Sequence, residues 1–164
     1  MKSFIYTLIT LCFLIHLSNI EAQTKPPKLN QMGLYKQFNG TWKAEIGADS
    51  IEVRECREFG FAYVIDVYRI IKGEKIPVYI NNVSYDATDG KFKGFLLYPN
   101  GTYFTWIGTF TKSNYFSGNI VFNFMPEVVW SEFHADFINS NEFSCTNFNQ
   151  AGEQILEMKF IKME

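Results

Sequence analysis

From about residue 38 onward, apolar and polar positions alternate in short runs, and each run is closed by residues that favour turns. The breaks are "GADS" (47–50), "EFG" (58–60), "KGEK" (72–75), "TDG" (88–90), "PNG" (99–101), "KSN" (112–114), "MPE" (125–127), "NSN" (139–141) and "QAGE" (150–153). Runs rich in aromatic and β-branched residues, bounded by Gly, Asn, Asp and Pro, predict strands. These breaks separate about ten of them. Every connection is short, and short connections join antiparallel neighbours rather than crossing over a sheet. An open meander of that length would leave two edges of unpaired backbone, which closure into a barrel removes. The pattern therefore predicts an all-β fold, an antiparallel up-and-down β-barrel of about 8–10 strands, wide enough to hold a small ligand.

Upstream the period changes. Leu29, Met32 and Tyr35 recur at helical spacing and predict one short helix within 29–38, despite Gly33. "QTKPPK" (23–28) reads as an extended linker because of its paired prolines. The first residues, "MKSFIYTLITLCFLIHLSNIEAQ", place Lys2 before an apolar run from Phe4 to Leu17 and a small residue at Ala22. That is the pattern of a secretory leader cut after Ala22, too short for the roughly 20 apolar residues of a membrane span. Cys12 lies inside this leader, preceded by Leu11 rather than a small residue, which argues against lipid attachment there. The expected organisation is a leader over 1–22, a linker and short helix over 23–37, and a barrel domain over 38–164, secreted or periplasmic after cleavage.

The segment "KFKGFLLYPNGTYFTWIGTF" carries the strongest hairpin signal, Asn100-Gly101. Both residues suit the positive φ of a two-residue type I′ turn. Such a turn would set Tyr98 opposite Tyr103. It would put Phe95, Leu97, Phe104, Trp106 and Phe110 on one face, and Phe92, Leu96, Tyr98, Tyr103 and Ile107 on the other. With both faces apolar, an outer-membrane barrel comes into view. The short connections and Lys93 in mid-strand argue for no stable membrane insertion.

Composition narrows the partners. Aromatic residues make up 18% of the chain, with 17 Phe, which suits broad sheet surfaces. Removing Lys2 and Glu21 with the leader takes the 15 basic and 17 acidic residues to 14 and 16, with no long run of either sign. Nucleic acid, which needs a concentrated basic surface, is not an expected partner. A monomer or weak dimer is expected.

Gly40-Thr41-Trp42 opens the first strand after the predicted helix, and in that setting it resembles the Gly-x-Trp signature of the calycins, the superfamily of lipocalins and fatty-acid-binding barrels. The resemblance implies that Trp42 packs across the closed end of the barrel beneath a basic side chain from a late strand. The last strand, "EQILEMKFIKME", has no arginine, so Lys159 or Lys162 would take that place. There is no room between Ile46 and Ile51 for the helical lid of fatty-acid-binding barrels. The nearer likeness is to small exported lipocalin-like barrels of bacteria, which implies a fold and a small hydrophobic or amphipathic ligand in the interior.

Candidate ligand-binding residues are accordingly Trp42, Tyr63, Ile65, Leu96, Tyr98, Phe104, Trp106, Phe122 and Phe133; the other reading of these side chains is that they simply fill the core. In "SEFHADF", Glu132, His134 and Asp136 alternate with Phe133, Ala135 and Phe137. On an inner face they would form a proton-transfer group, and on the outer face a solvated surface. Cys56 and Cys145 are the candidate disulfide of an exported chain. Arg54 and Arg57 fall on opposite faces of one strand. An inward arginine suits a ligand carboxylate, and the other reading is an ion pair with Glu52, Glu55 or Glu58. Asn39, Asn82 and Asn100 begin Asn-x-Ser/Thr triplets, which are glycan acceptors only in a eukaryotic host. No residue spacing suggests a metal or a cofactor.

Overall fold

The computed structural model describes residues 28–164. The expected leader and most of the expected linker lie outside the described residues. A short helix, α1 (Gln31–Tyr35), continues as a 3₁₀ turn over Lys36–Phe38. Ten strands follow: β1 (Gly40–Gly47), β2 (Ser50–Phe59), β3 (Ala62–Ile71), β4 (Glu74–Asp86), β5 (Lys91–Leu97), β6 (Tyr103–Lys112), β7 (Tyr115–Phe122), β8 (Met125–Asn139), β9 (Glu142–Phe148) and β10 (Gln154–Lys162). Each pairs antiparallel with the next, and β10 returns to β1, so the sheet is a closed up-and-down barrel with no free edge. The closing seam is short, with Trp42 opposite Lys162 and Lys43 opposite Ile161.

The sequence breaks fall between strands except "MPE". There the turn lies earlier, at Asn123 (φ 45°) and Phe124 (φ 61°), and Met125 already pairs with Phe122. Pro126 is tolerated inside β8 because residues 126–128 have no partner on β7: Val121 pairs with Val129 and Phe122 with Met125. The missing N–H of Pro126 interrupts no ladder.

The turn at Asn100-Gly101 also differs from the expectation. The Gly101 N–H donates to the Tyr98 carbonyl at 2.9 Å and the Tyr98 N–H to the Thr102 carbonyl at 2.9 Å. The loop is therefore three residues, Pro99-Asn100-Gly101, with Gly101 at φ 83°. Proline suits the second position of a type I turn, and a left-handed glycine completes the three-residue hairpin. Leu97 then pairs with Tyr103 and Leu96 with Phe104. A slip of one residue exchanges the faces of a strand. Phe92, Leu96 and Tyr98 consequently share the inner face with Phe104, Trp106 and Phe110, while Phe95 stacks on Tyr103 outside at 5.2 Å.

The α1 end of the barrel is filled. The Gln31 side-chain amide pairs with the backbone of Phe110 as a strand would, donating to its carbonyl and accepting from its N–H, both at 2.9 Å. This seats Tyr35 and Phe38 against Phe92, Phe116, Phe137 and Phe143. Trp42 is buried beneath them and donates its indole N–H to the Phe38 carbonyl at 2.7 Å. The basic cover is Lys162, whose Nζ stands 5.1 Å from the Trp42 ring, whereas Lys159 pairs outside with Glu142 at 2.6 Å.

Three glycines make room for rings inside. A Cβ at Gly94, Gly108 or Gly118 would overlap Trp106, Phe116 or Phe133 respectively. Without side chains there, those rings lie flat across the neighbouring strand, which is the close approach that glycine within a strand permits.

Candidate functional site

Below the aromatic plug the barrel is hollow. A cavity of about 360 Å³ runs from Tyr35 and Trp42 at the closed end towards the β5–β6 and β7–β8 hairpins, where Trp130 both lines it and is exposed. Its size lies near the lower end of the roughly 300–1,000 Å³ of small-molecule sites. Of the candidate ligand residues, Trp42, Ile65, Leu96, Tyr98, Phe104, Trp106 and Phe133 line this space. Tyr63 and Phe122 do not. Tyr63 is packed on Tyr35 in the plug at 4.6 Å, and Phe122 sits on the rim, 43% exposed, stacked against Trp130.

Trp130 faces inward because of an irregular pairing that alternation along β8 does not reveal. Ile120 pairs with Ser131 and Val121 with Val129, leaving Trp130 as the extra residue of a β-bulge. Bulges re-aim side chains in this way. Trp130 packs edge-on against Phe104 at 5.2 Å and forms one wall of the mouth.

One charged pair stands among these apolar groups. Arg54 projects inward from β2, opposite Trp42 on β1, and its guanidinium lies 4.1 Å from the centre of the Phe160 ring. Glu52, two residues earlier on the same face and only 3% exposed, accepts from Arg54 Nη2 at 2.9 Å and Nε at 3.1 Å through Oε1. Its Oε2 accepts from Arg69 at 3.4 Å, and Arg69 is half exposed at the mouth. Burial alone works against the Arg54 charge, but the neighbouring Tyr79, Cys145 and Glu52 outweigh it and raise its pKa. Burial pushes the Tyr79 phenol up to about 12, against the pull of Arg54, and burial followed by Glu58 pushes the Cys56 thiol up to about 12. Near neutral pH the polar part of the interior is thus the Arg54–Glu52 ion pair, with Arg69 on its solvent side, beside the neutral Tyr79 and Cys56.

Asn81 lies on β4 opposite Leu96 of β5 and Ile65 of β3, and also lines the cavity. Its Oδ1 accepts the Trp106 indole N–H at 3.0 Å. An indole N–H can only donate, so Asn81 must turn its oxygen to Trp106 and its amide nitrogen elsewhere. That nitrogen has no hydrogen-bond partner among the described residues. Sequence reading passed over Asn81 because the polar "INNVS" gives no sign of which asparagine points in.

The Glu132, His134 and Asp136 group does not face the cavity. Phe133 and Ala135 line the interior, which leaves the three polar residues on the outer wall. His134 Nε2 lies 2.6 Å from Glu132 Oε1, with its ring between Tyr115 and Phe148, while Asp136 accepts from the Asn114 amide. Cys56 and Cys145 are free, buried thiols that both line the cavity; in the closed order β2 and β9 are separated by β1 and β10. Among the described residues no three His, Cys, Asp or Glu side chains gather as metal ligands would, and no helix is long and apolar enough to cross a membrane. The outer wall carries mid-strand charge at Glu55, Asp66, Lys93 and Glu132, where a lipid-facing barrel is apolar.

No protein-family model matches the chain, and no curated protein matches it either. The closed ten-stranded antiparallel barrel is compatible with a calycin-like fold.

Proposed function

We propose that this is an exported barrel that binds a small, mostly apolar molecule in its interior. The observation that carries the reading is the cavity of about 360 Å³, walled by aromatic and aliphatic side chains and open to solvent beside Trp130. Apolar surface transferred from water into such a space contributes roughly 25 cal/mol per Å². The affinity therefore comes from burial, and the few polar groups orient the guest. Export rests on the leader pattern of residues 1–22.

Native mass spectrometry of the protein purified from its own host should show a bound small molecule released on unfolding. All three tryptophans line the cavity, so an apolar titrant entering it should also change their fluorescence. A barrel that carries nothing from its host and takes up no apolar titrant would instead be a structural or protein-binding unit.

A further inference from the structure

The chemistry of the inner polar groups narrows the class of guest. We propose that the cavity selects an uncharged amphiphile with a hydrogen-bond-accepting oxygen, held by the Asn81 amide nitrogen, and discriminates against carboxylates. This rests on the interior-binding reading above and adds the identity of the head group.

Two independent observations support it. First, Asn81 is only 9% exposed, lines the cavity, and has its oxygen committed to Trp106. Its Nδ2 makes no hydrogen bond among the described residues and is not sealed in the wall, so it is a donor open to the cavity. A guest that fills the cavity covers this donor, which is costly to leave unpaired, and a carbonyl, hydroxyl or ether oxygen of the guest would satisfy it. Second, the arginine that would have invited an anion already has a carboxylate partner. Arg54 donates twice to Glu52 Oε1, and Arg69 holds Oε2 from the solvent side. A carboxylate entering beside Arg54 would bring a second anion next to the buried Glu52 and would lose its own hydration. A neutral oxygen meets neither cost. The phenols of Tyr79 and Tyr98, also on the wall, are neutral near pH 7 and are compatible with such a head group.

The test is a matched series of one chain length, decanamide, decanol and decanoate, titrated calorimetrically into the whole mature protein at about pH 8, where the acid is ionised. Decanamide and decanol should bind at least about tenfold more tightly than decanoate, a difference of about 1.4 kcal/mol. Glu52→Gln keeps the shape of the side chain but frees Arg54 of its counter-ion, and should move the preference towards decanoate by about tenfold or more. Asn81→Asp keeps an acceptor for Trp106 and removes both donor hydrogens; it should weaken decanamide by about tenfold. Decanoate binding as well as decanamide to the unaltered protein would overturn the head-group assignment while leaving interior binding standing. Unchanged decanamide affinity in folded Asn81→Asp would remove Asn81 as the donor. Binding of none of the three would overturn the interior-binding reading itself.

Discussion

Gly94 shows how much of the cavity depends on a missing side chain. It lies on β5 directly opposite Trp106, and the indole covers the space where its Cβ would be. Gly94→Ala should push Trp106 off its strand, break its hydrogen bond to Asn81 and destabilise the protein by about 1–3 kcal/mol, the range for overpacking a tight core. Urea denaturation would measure the loss, and tryptophan emission would report the moved ring. From the sequence alone Gly94 reads as a weak point in a strand. Its purpose depends on a ring from another strand, which no local pattern encodes. Trp42 is the opposite case. Its position after a helix and at the start of a strand was visible in "FNGTWKAEIG", and it is buried at the closed end with Lys162 over it.

Among the elements, hairpins were legible in place and not always in register. Alternation marks where strands run, but the face each side chain takes follows from the turn, and Pro99 moved that by one position in the β5–β6 pair. Bulges act in the same way: the extra residue at Trp130 and the unpaired residues 126–128 follow from pairing with β7, which β8 does not specify by itself. The β4–β5 hairpin permits a pH prediction. Asp86 accepts from Lys93 Nζ at 2.6 Å and from the Thr88 N–H at 2.8 Å. Those two hydrogen bonds, the lysine's first, hold its carboxyl down at about 2, against an ordinary 3.8. A carboxyl depressed by folding stabilises the fold above its unfolded pKa and loses that contribution as the pH falls through the folded one. The thermal midpoint should therefore decline between about pH 4 and pH 2 through this group, and Asp86→Asn should make that decline shallower. An identical acid limb in the variant would show that the Asp86 contacts do not hold in solution.

For the whole molecule, regular turn spacing and the edge problem were enough to anticipate a closed antiparallel barrel with a short helix before it. The chemistry of its interior was not legible, because Arg54, Glu52 and Asn81 differ from surface residues only in the direction they point. Closure also has a consequence in time. The seam joins the first strand to the last through Trp42–Lys162 and Lys43–Ile161. During translation β1 leaves the ribosome long before β10 exists. Until then the chain is at best an open sheet with two sticky edges and no container, and only the final strand turns a wall into a room. A chain ending before Gln154 should accordingly associate through its edges, visible as large species in sedimentation. In the full chain, amides at this brief seam should exchange with deuterium sooner than those of the long β2–β3 ladder, so that the last join made is the first to loosen.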